Sequence, residues 1–214
     1  NWFGNYAIEK VEPIAIADAR SLRRWPEATR TFLLKSTKTE VAYALGGLLY
    51  IDVPRKAQDA KVRIQVAGAV EAPWFVLGRD TNADWAGRLR QAPAPYAELS
   101  AGNLILTIPS SAIRTLDDPE GLMRWWQQAM ALEDKLANRP HRPNPERIVD
   151  DIQISAGGGH SGYPIMAGNW AKGMVDLASL KKNGSWGCLH EMGHNENGRN
   201  GYLSLPGSGE VVCN

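Results

Sequence analysis

The feature that most constrains this chain is the run His190-Glu191-Met192-Gly193-His194, in which the two histidines stand four residues apart. If the run is helical, this spacing places both imidazoles on one face, one turn apart, where they can bind a single metal ion. Glu191 then lies about 100° round the helix from His190, close enough to hold a water molecule without binding the metal. Ser185 and Asn197-Gly198 are residue types that begin and end helices. The run therefore predicts a helix that carries metal ligands, which we call the metal helix.

This pattern is typical of zinc hydrolases. Zinc lowers the pKa of its bound water towards about 7, and the glutamate takes the proton as hydroxide attacks a peptide carbonyl. Two histidines on a helix can also be ordinary surface residues, but Met192 and Gly193 between them indicate a buried, tightly packed face. We therefore expect His190 and His194 to bind zinc and Glu191 to act as the catalytic base.

The third protein ligand decides the subclass. A metzincin requires Gly at position 197 and His at position 200, but both positions hold Asn. A gluzincin takes a glutamate from a later segment, and Glu210, sixteen positions beyond His194, is the best candidate. Glu196 competes with it, but two residues after His194 it faces away from the metal on the same helix. The other interpretation of Glu210 is an ordinary solvated carboxylate.

Length and charge set broad limits. With 214 residues the chain suits one medium domain, or a small domain fused to part of a larger one. Its 24 basic and 23 acidic residues nearly cancel, which gives no indication of nucleic acid or a charged membrane surface as a partner. No apolar run is long enough for a transmembrane segment, and no signal-peptide pattern is present. Because the chain begins at Asn1 and stops four residues after Glu210, we expect a fragment of a longer or processed chain.

The cysteine content leaves the redox compartment open. Cys188 and Cys213 are the only two cysteines. Two are too few to define a disulfide framework, and neither has metal-site spacing with a partner. Both lie near the predicted zinc site, so they could be bridged or could be buried free thiols.

Apolar patterning divides the chain into three segments: a mixed N-terminal segment (1–40), a β-rich subdomain (41–108) and a zincin catalytic domain (109–214). In the second segment we expect strands where apolar residues run together or alternate with period two. These lie at residues 43–54, around a Gly-Gly bend, and at 61–66, 74–78 and 103–109. A further strand is expected at residues 147–154.

Two helices are expected ahead of the metal helix. Asp118 caps and Pro119 opens the first, whose apolar residues keep helical spacing as far as Leu136. Its Trp125-Trp126 pair favours core packing, with a sugar-stacking platform as the alternative. The second helix spans about 171–182 and leads through Asn183-Gly184 into the metal helix.

Five segments are distinctive in their sequence and order. They are Pro93 to Leu99, Glu146 to Val149, Gln153 to Ser155, His160 to Ile165 and Trp186 to Asn195. In this order they resemble enhancin-like zinc metallopeptidases, metallopeptidase family sixty. This family includes viral enhancins, bacterial mucin and O-glycopeptide proteases, and vertebrate channel-associated factors that share the domain. The resemblance covers residues 41–214.

The resemblance implies an α+β fold, in which a small β-rich subdomain precedes a gluzincin-like catalytic domain truncated after the third zinc ligand. It implies a secreted or cell-surface protein whose substrates are mucin-like, O-glycosylated glycoproteins. Carried over by motif, His190 and His194 are zinc ligands, Glu191 is the base and Glu210 is the third ligand. The chain departs from the family at 196–201, where many relatives have a polar, often Gln-containing turn.

Four further residues are candidates for supporting roles. His160 or Tyr163 could donate a hydrogen bond to the developing oxyanion, since a neighbouring segment commonly supplies this group in zincins. The alternative is a rigid Tyr-Pro turn beside the metal helix, with His160 satisfied locally. Asp150 and Asp151 could orient a zinc-bound imidazole, or they could be strand-edge charges.

The sequence therefore predicts a zinc-dependent endopeptidase that cleaves glycosylated proteins with zinc-activated water and Glu191 as general base. One alternative is a binding or regulatory module that keeps the fold without turnover. Another is a zinc hydrolase that acts on a different bond.

Overall fold

A mixed sheet forms the centre of the fold. The structure, a computed structural model, describes residues 29–44, 46–53, 61–138, 140, 142–155, 157–197 and 206–214. In these residues the sheet has six strands in the order β1-β2-β3-β4-β6-β5. The pairs β1–β2, β3–β4 and β4–β6 are parallel, and the pairs β2–β3 and β5–β6 are antiparallel. The strands are β1 Trp74–Val76, β2 Tyr96–Ser100, β3 Leu104–Pro109, β4 Glu146–Asp151, β5 Gly159–His160 and β6 Ile165–Gly168.

Helices before and after β4 pack against this sheet, so the predicted α+β class is confirmed. In the described ranges, no helix combines the length and apolar character needed to cross a membrane. The helices are α1 Asn82–Gly87, α2 Ser110–Ile113, α3 Pro119–Leu136, α4 Ala171–Val175, α5 Leu177–Asn183, α6 Trp186–Asn197 and α7 Gly209–Val212. Helix α6 is the metal helix.

The main core lies between the sheet and α3. The apolar residues Leu104, Leu106 and Ile108 of β3 are fully buried, as alternation in a covered strand requires. Facing them, α3 contributes buried apolar side chains, and the indole of Trp126 donates to the Met174 carbonyl at 3.0 Å. This burial is the main apolar stabilisation of the domain.

The predicted start of α3 is confirmed. Pro119 is the first helical residue, and the Asp118 side chain accepts a hydrogen bond from the Gly121 amide at 2.8 Å. Trp126 is fully buried and Trp125 packs edge-on against it, which confirms core packing for this pair. The predicted apolar stripe is wrong at the far end, because Leu132 and Leu136 are exposed while Met130 takes the core position.

The strands predicted at 43–54 and 61–66 are wrong for the residues that the structure describes there. Those residues form no strand, and Val62 and Val66 are 76% and 51% exposed. Alternation makes a strand only where a neighbouring strand supplies hydrogen bonds and a covered face. In the described part of this segment, Tyr50 reaches the sheet, and its hydroxyl donates to Glu98 Oε1 at 2.6 Å.

The helix predicted at 171–182 is two short helices. Asp176 interrupts it, because its side chain accepts from the Ser179 amide at 2.9 Å and caps α5. The sheet contains strands from the predicted β-rich subdomain and from the predicted catalytic domain. The division of the chain into three segments stays a prediction.

Candidate metal centre

The metal helix begins directly after a tight connection from α5. Gly184 has φ of +71°, a left-handed conformation that glycine adopts at little cost. The Leu189 amide then donates to the Ser185 carbonyl at 3.0 Å, which closes the first turn of α6. Met192 and Cys188 of this helix are fully buried in the core, so the core anchors α6.

The structure brings together the three predicted metal ligands. The rings of His190 and His194 lie 4.7 Å apart, centroid to centroid. Glu210 Oε2 lies 3.1 Å from His190 Nε2 and 3.4 Å from His194 Nε2. The Glu210 side chain is 79% exposed, so one side of this cluster is open to solvent. Two imidazole nitrogens and one carboxylate oxygen thus converge on one point.

The predicted base, Glu191, is buried. Glu191 is 8% exposed and follows His190 on α6. Its carboxylate is among the groups that raise the pKa of the buried Cys213 thiol, after burial itself and Glu210. Glu191 is not one of the converging donors, and its role as the base stays a prediction.

Sequence reasoning missed the group that orients His190. Asn214 Oδ1 accepts from His190 Nδ1 at 3.2 Å and from Trp186 Nε1 at 2.9 Å. The Trp186 ring also lies 4.6 Å from the His190 ring. Together these contacts engage Nδ1 and leave Nε2 of His190 facing Glu210 Oε2. The spacing of Trp186, one helical turn before His190, was the available sequence signal.

The aspartates predicted for this orienting role contact other groups. Asp150 accepts a hydrogen bond from the Trp170 amide, and burial raises its pKa to about 6. Asp151 Oδ1 lies 3.4 Å from the Gln153 amide. Asp150 therefore anchors the start of α4, and an orienting role for either aspartate stays a prediction.

His160 and Tyr163 make local contacts. His160 is buried, with Nε2 2.9 Å from Ser155 Oγ and Nδ1 3.0 Å from the Ser161 carbonyl oxygen. Tyr163 is half-exposed and its side chain lies close to the Arg147 guanidinium. These contacts favour the local interpretation, and a catalytic role for the two residues stays a prediction.

The inner side of α6 is tied to the rest of the domain by Asn195. Its side-chain amide donates to the Gly162 carbonyl at 2.8 Å, and its Oδ1 accepts from the Gly162 amide at 2.8 Å. The same Nδ2 donates to Glu146 Oε2 at 3.1 Å. One side chain therefore joins the metal helix, the loop before β6 and the start of β4.

A second tie is the ring of Trp170, which packs between two glycines. A Cβ on Gly187 would lie 2.8 Å from the ring, and a Cβ on Gly159 would lie 2.3 Å from it. Both distances are shorter than a carbon–carbon contact allows. Because glycine has no Cβ, α6 and β5 can both pack directly against the Trp170 indole.

The two cysteines are free thiols. Cys188 is buried in the core, which raises its pKa to about 12. Cys213 is also buried, and burial together with the Glu210 carboxylate raises its pKa. They are therefore not bridged, which the sequence left open.

The fold and the converging donors define a peptidase-type domain of the HExxH class. The chain belongs to the peptidase M60 family, enhancin and enhancin-like, whose model matches residues 68–214. The model for the N-terminal domain of M60-like peptidases matches residues 10–67. The resemblance seen in the sequence is thereby confirmed.

One group of similar proteins consists of channel-associated factors. TRPM8 channel-associated factor 2 from Homo sapiens is 38% identical over 201 residues, which are 93% of this chain and 22% of that protein. A TRPM8 channel-associated factor homolog from Danio rerio is 41% identical over the same shares. The chain thus spans about a fifth of the length of the curated relatives that it matches.

The second group consists of solved structures. A metallopeptidase in complex with Tn antigen superposes with a TM-score of 0.55 at 15% identity, over 66% of this chain and 27% of that chain. The M60 catalytic domain of Clostridium perfringens ZmpB gives a TM-score of 0.53 at 14% identity, over 66% and 17%. At such identities the likeness shows the shared fold.

Proposed function

We propose that this domain binds zinc and hydrolyses peptide bonds in mucin-like, O-glycosylated proteins. The observation that carries the proposal is the position of Glu210 Oε2, 3.1 and 3.4 Å from the Nε2 atoms of two histidines that belong to one helix. Donors at the corners of a zinc tetrahedron lie about 3.3 Å apart for Zn–N and Zn–O bonds of about 2.0–2.1 Å. The two separations fit that spacing, and two imidazoles with one carboxylate are a ligand set of catalytic zinc sites.

Each residue has a defined part in this proposal. His190, His194 and Glu210 hold the metal, and Asn214 keeps the Nδ1 proton of His190 directed away from it. When bound, zinc supplies Lewis-acid chemistry, which makes water more acidic and a carbonyl carbon more electrophilic. Glu191 accepts the proton from the attacking water and then gives it to the leaving amine. Glu191 is 8% exposed, which keeps its carboxylate away from bulk solvent.

The mucin-like substrate class is part of the same proposal. A solved metallopeptidase of this fold carries Tn antigen, an observation that concerns that protein. The Glu210 side chain is 79% exposed, so the cluster can be reached from solvent. A secreted or cell-surface location, where such glycoproteins occur, belongs to the same proposal.

A binding or regulatory module is the second candidate, because the relatives of highest identity reported above are named channel-associated factors. Such a module has no use for a base beside metal ligands. It is expected to keep its binding after chelation of any metal. A hydrolase that acts on a different bond would release products without new amino termini.

The test compares the chain with its Glu191→Gln variant. Zinc-loaded protein is incubated with a mucin-type glycoprotein, and new amino termini are identified by mass spectrometry. We expect the variant to lose about 10²–10⁴-fold in cleavage rate, the usual contribution of a general base, with zinc content unchanged. Glu71→Gln, at an exposed ion pair with Arg88, is the matched control and should cleave normally.

Two results would contradict the proposal. Equal cleavage by Glu191→Gln would remove Glu191 as the base. Absence of cleavage by fully zinc-loaded protein, with chelation-resistant binding to a channel-type partner, would favour the module.

A further inference from the structure

An exposed tryptophan lies beside the candidate metal centre. Trp186 is the first residue of α6 and is 70% exposed, more than any other tryptophan that the structure describes. A single exposed apolar side chain is common on protein surfaces and needs no functional explanation. Trp186 differs in its position, because its ring lies 4.6 Å from the ring of His190, a predicted metal ligand.

Two contacts hold the indole of Trp186 in one orientation. Its Nε1 donates to Asn214 Oδ1 at 2.9 Å, and the same oxygen accepts from His190 Nδ1. The planes of the indole and the imidazole are inclined by 33°, so the two rings are partly stacked. Asn214 is also held in place, because its Nδ2 donates to the Glu210 carbonyl at 2.6 Å. A ring that is already ordered loses little conformational entropy when it binds a ligand.

These contacts limit the chemistry that the indole can offer to a ligand. Its single N–H donor is already used by Asn214, so the exposed part is an apolar π face. The usual partners of such a face are another apolar ring face and a cationic side chain. A cationic side chain would be repelled by the charge of a metal ion bound at His190, whereas the C–H face of a sugar ring is uncharged. The position of the indole therefore favours a sugar over a basic side chain.

We propose that Trp186 is a specificity-determining residue, whose indole packs against the sugar on the substrate residue next to the scissile peptide bond. This role rests on the proposed function and adds to it the residue that recognises the glycan. The sequence offered sugar stacking as an alternative role for Trp125 and Trp126, but these two pack in the core. Because the indole contacts substrate away from the reacting atoms, its loss should raise KM and leave kcat nearly unchanged.

The experiment compares Trp186→Ala with the unaltered chain on two peptides of one sequence. One peptide carries a single N-acetylgalactosamine on a serine, and the other has the bare serine. Both proteins are loaded with zinc and also carry Glu191→Gln, so that isothermal titration measures binding without cleavage. We expect Trp186→Ala to weaken binding of the glycosylated peptide at least about tenfold, and to change binding of the bare peptide by no more than about twofold.

Trp74→Ala is the matched control. Trp74 is 47% exposed, but it lies in β1, at the edge of the sheet opposite β5, and β5 is a strand that contacts the metal helix. This control should leave both affinities unchanged. Trp186→Phe keeps an aromatic face and should recover part of the lost affinity. A third peptide, with phenylalanine in place of the serine, should bind equally well to the unaltered chain and to Trp186→Ala.

The outcomes separate the role of Trp186 from the proposed function. Equal weakening with all three peptides, together with a loss of bound zinc, would show that Trp186 supports His190 and would overturn its role in recognition. Unchanged binding of the glycosylated peptide by Trp186→Ala would also overturn that role, even if the chain with Glu191 intact cleaves this peptide. A loss confined to the glycosylated peptide, in a chain that cleaves neither serine peptide with Glu191 intact, would support recognition and overturn hydrolysis.

A second measurement decides if Trp186→Ala does not fold. Nuclear Overhauser contacts between the sugar protons and the Trp186 indole are recorded in the zinc-loaded Glu191→Gln chain with the glycosylated peptide bound. Their presence would support the proposed contact, and their absence would overturn it.

Discussion

The metal helix has two sides that contact different parts of the molecule. Its metal side, formed by His190, His194 and Gly193, meets the segment 206–214. A second set of residues, Gly187, Asn195 and Glu196, lies at different angles round the helix and is called the inner side here because its contacts are with Trp170, the loop before β6 and α3. The metal side carries a cluster of potential ligand atoms that a cation would hold together. The inner side contacts the rest of the domain through hydrogen bonds and packing that need no cation.

The two glycines of this helix show the difference most directly. Gly193 admits backbone atoms of Cys213, and Gly187 admits the ring of Trp170. The same substitution, Gly to Ala, therefore probes function on one side and stability on the other. If the sides are energetically separate, each variant should change one property and spare the other.

Gly193→Ala should have the largest effect, on metal binding. Because its Cβ would meet the Cys213 backbone at 2.2 Å, the segment carrying Glu210, Cys213 and Asn214 must move away. We expect zinc affinity to fall about 10–100-fold, while the free energy of unfolding without metal changes by no more than about 1 kcal/mol. Competition with a metal-binding dye and denaturant unfolding measure the two quantities.

The control for that substitution is Gly173→Ala. Gly173 also lies in a helix, and no heavy atom lies within 4 Å of the Cβ it would gain. It should leave zinc affinity unchanged. An equal loss of affinity in both variants would show that the effect does not come from the contact with Cys213.

Gly187→Ala should act on stability. The Cβ would meet the ring of Trp170 at 2.8 Å, and overpacking of this kind costs about 1–3 kcal/mol. Zinc affinity measured below the unfolding transition should stay within about twofold, a difference under 0.5 kcal/mol. Adding Trp170→Phe, which shortens the ring, should recover part of the loss. Strictly additive losses in the double variant would contradict a direct contact as the cause.

Asn195→Ala should give a somewhat smaller loss of stability. It removes the reciprocal bonds to Gly162 and the bond to Glu146, and leaves partly buried polar groups without those partners. We expect a loss of about 1–2 kcal/mol in urea unfolding, with little change in zinc affinity. Asn195→Asp keeps the acceptor for the Gly162 amide but places a carboxylate beside Glu146. Its loss should therefore shrink as the pH is lowered, whereas the loss in Asn195→Ala should not.

The metal side was more predictable from sequence than the strands were. A spacing of four residues fixes His190 and His194 on one helical face whatever surrounds them, and the structure brings Glu210 to both. The orienting role of Asn214 and the approach of Cys213 depend on how a separate segment folds back. No local pattern contains that information.

Alternation shows the same limit within the fold. Residues 61–66 and 103–109 both carry alternating apolar residues, and only the second set is a strand with a covered face. Leu104 and Leu106 lie under α3 and between paired neighbours, whereas Val62 is exposed. The alternating pattern shows that a segment is suited to form a strand. The neighbouring strand with which it must pair comes from elsewhere in the chain. Trp126 was predictable for the opposite reason, since a large apolar ring at a core-facing helical position has few alternatives.

The smallest expected effect is a pH dependence on the inner side. Burial, followed by the charges of Glu196 and Asp134, raises the pKa of Glu133 on α3 from 4.5 to about 7. Between these values the folded protein binds more protons at this site than the unfolded chain, so the free energy of unfolding falls as the pH rises from about 4.5 to about 7.

Glu133→Gln removes this titrating group and should make the slope shallower, as measured by urea unfolding at half-unit pH steps; the raised pKa of Asp150 keeps part of it. Glu40→Gln, at an exposed carboxylate, should leave the slope as it is. If the slope were unchanged in Glu133→Gln, a group other than Glu133 would be its cause. Because the Glu196 charge comes from the metal helix itself, Glu196→Gln should lower the pKa of Glu133 and move the slope to lower pH. That shift would show directly that a charge on the metal helix raises the pKa of a residue on α3.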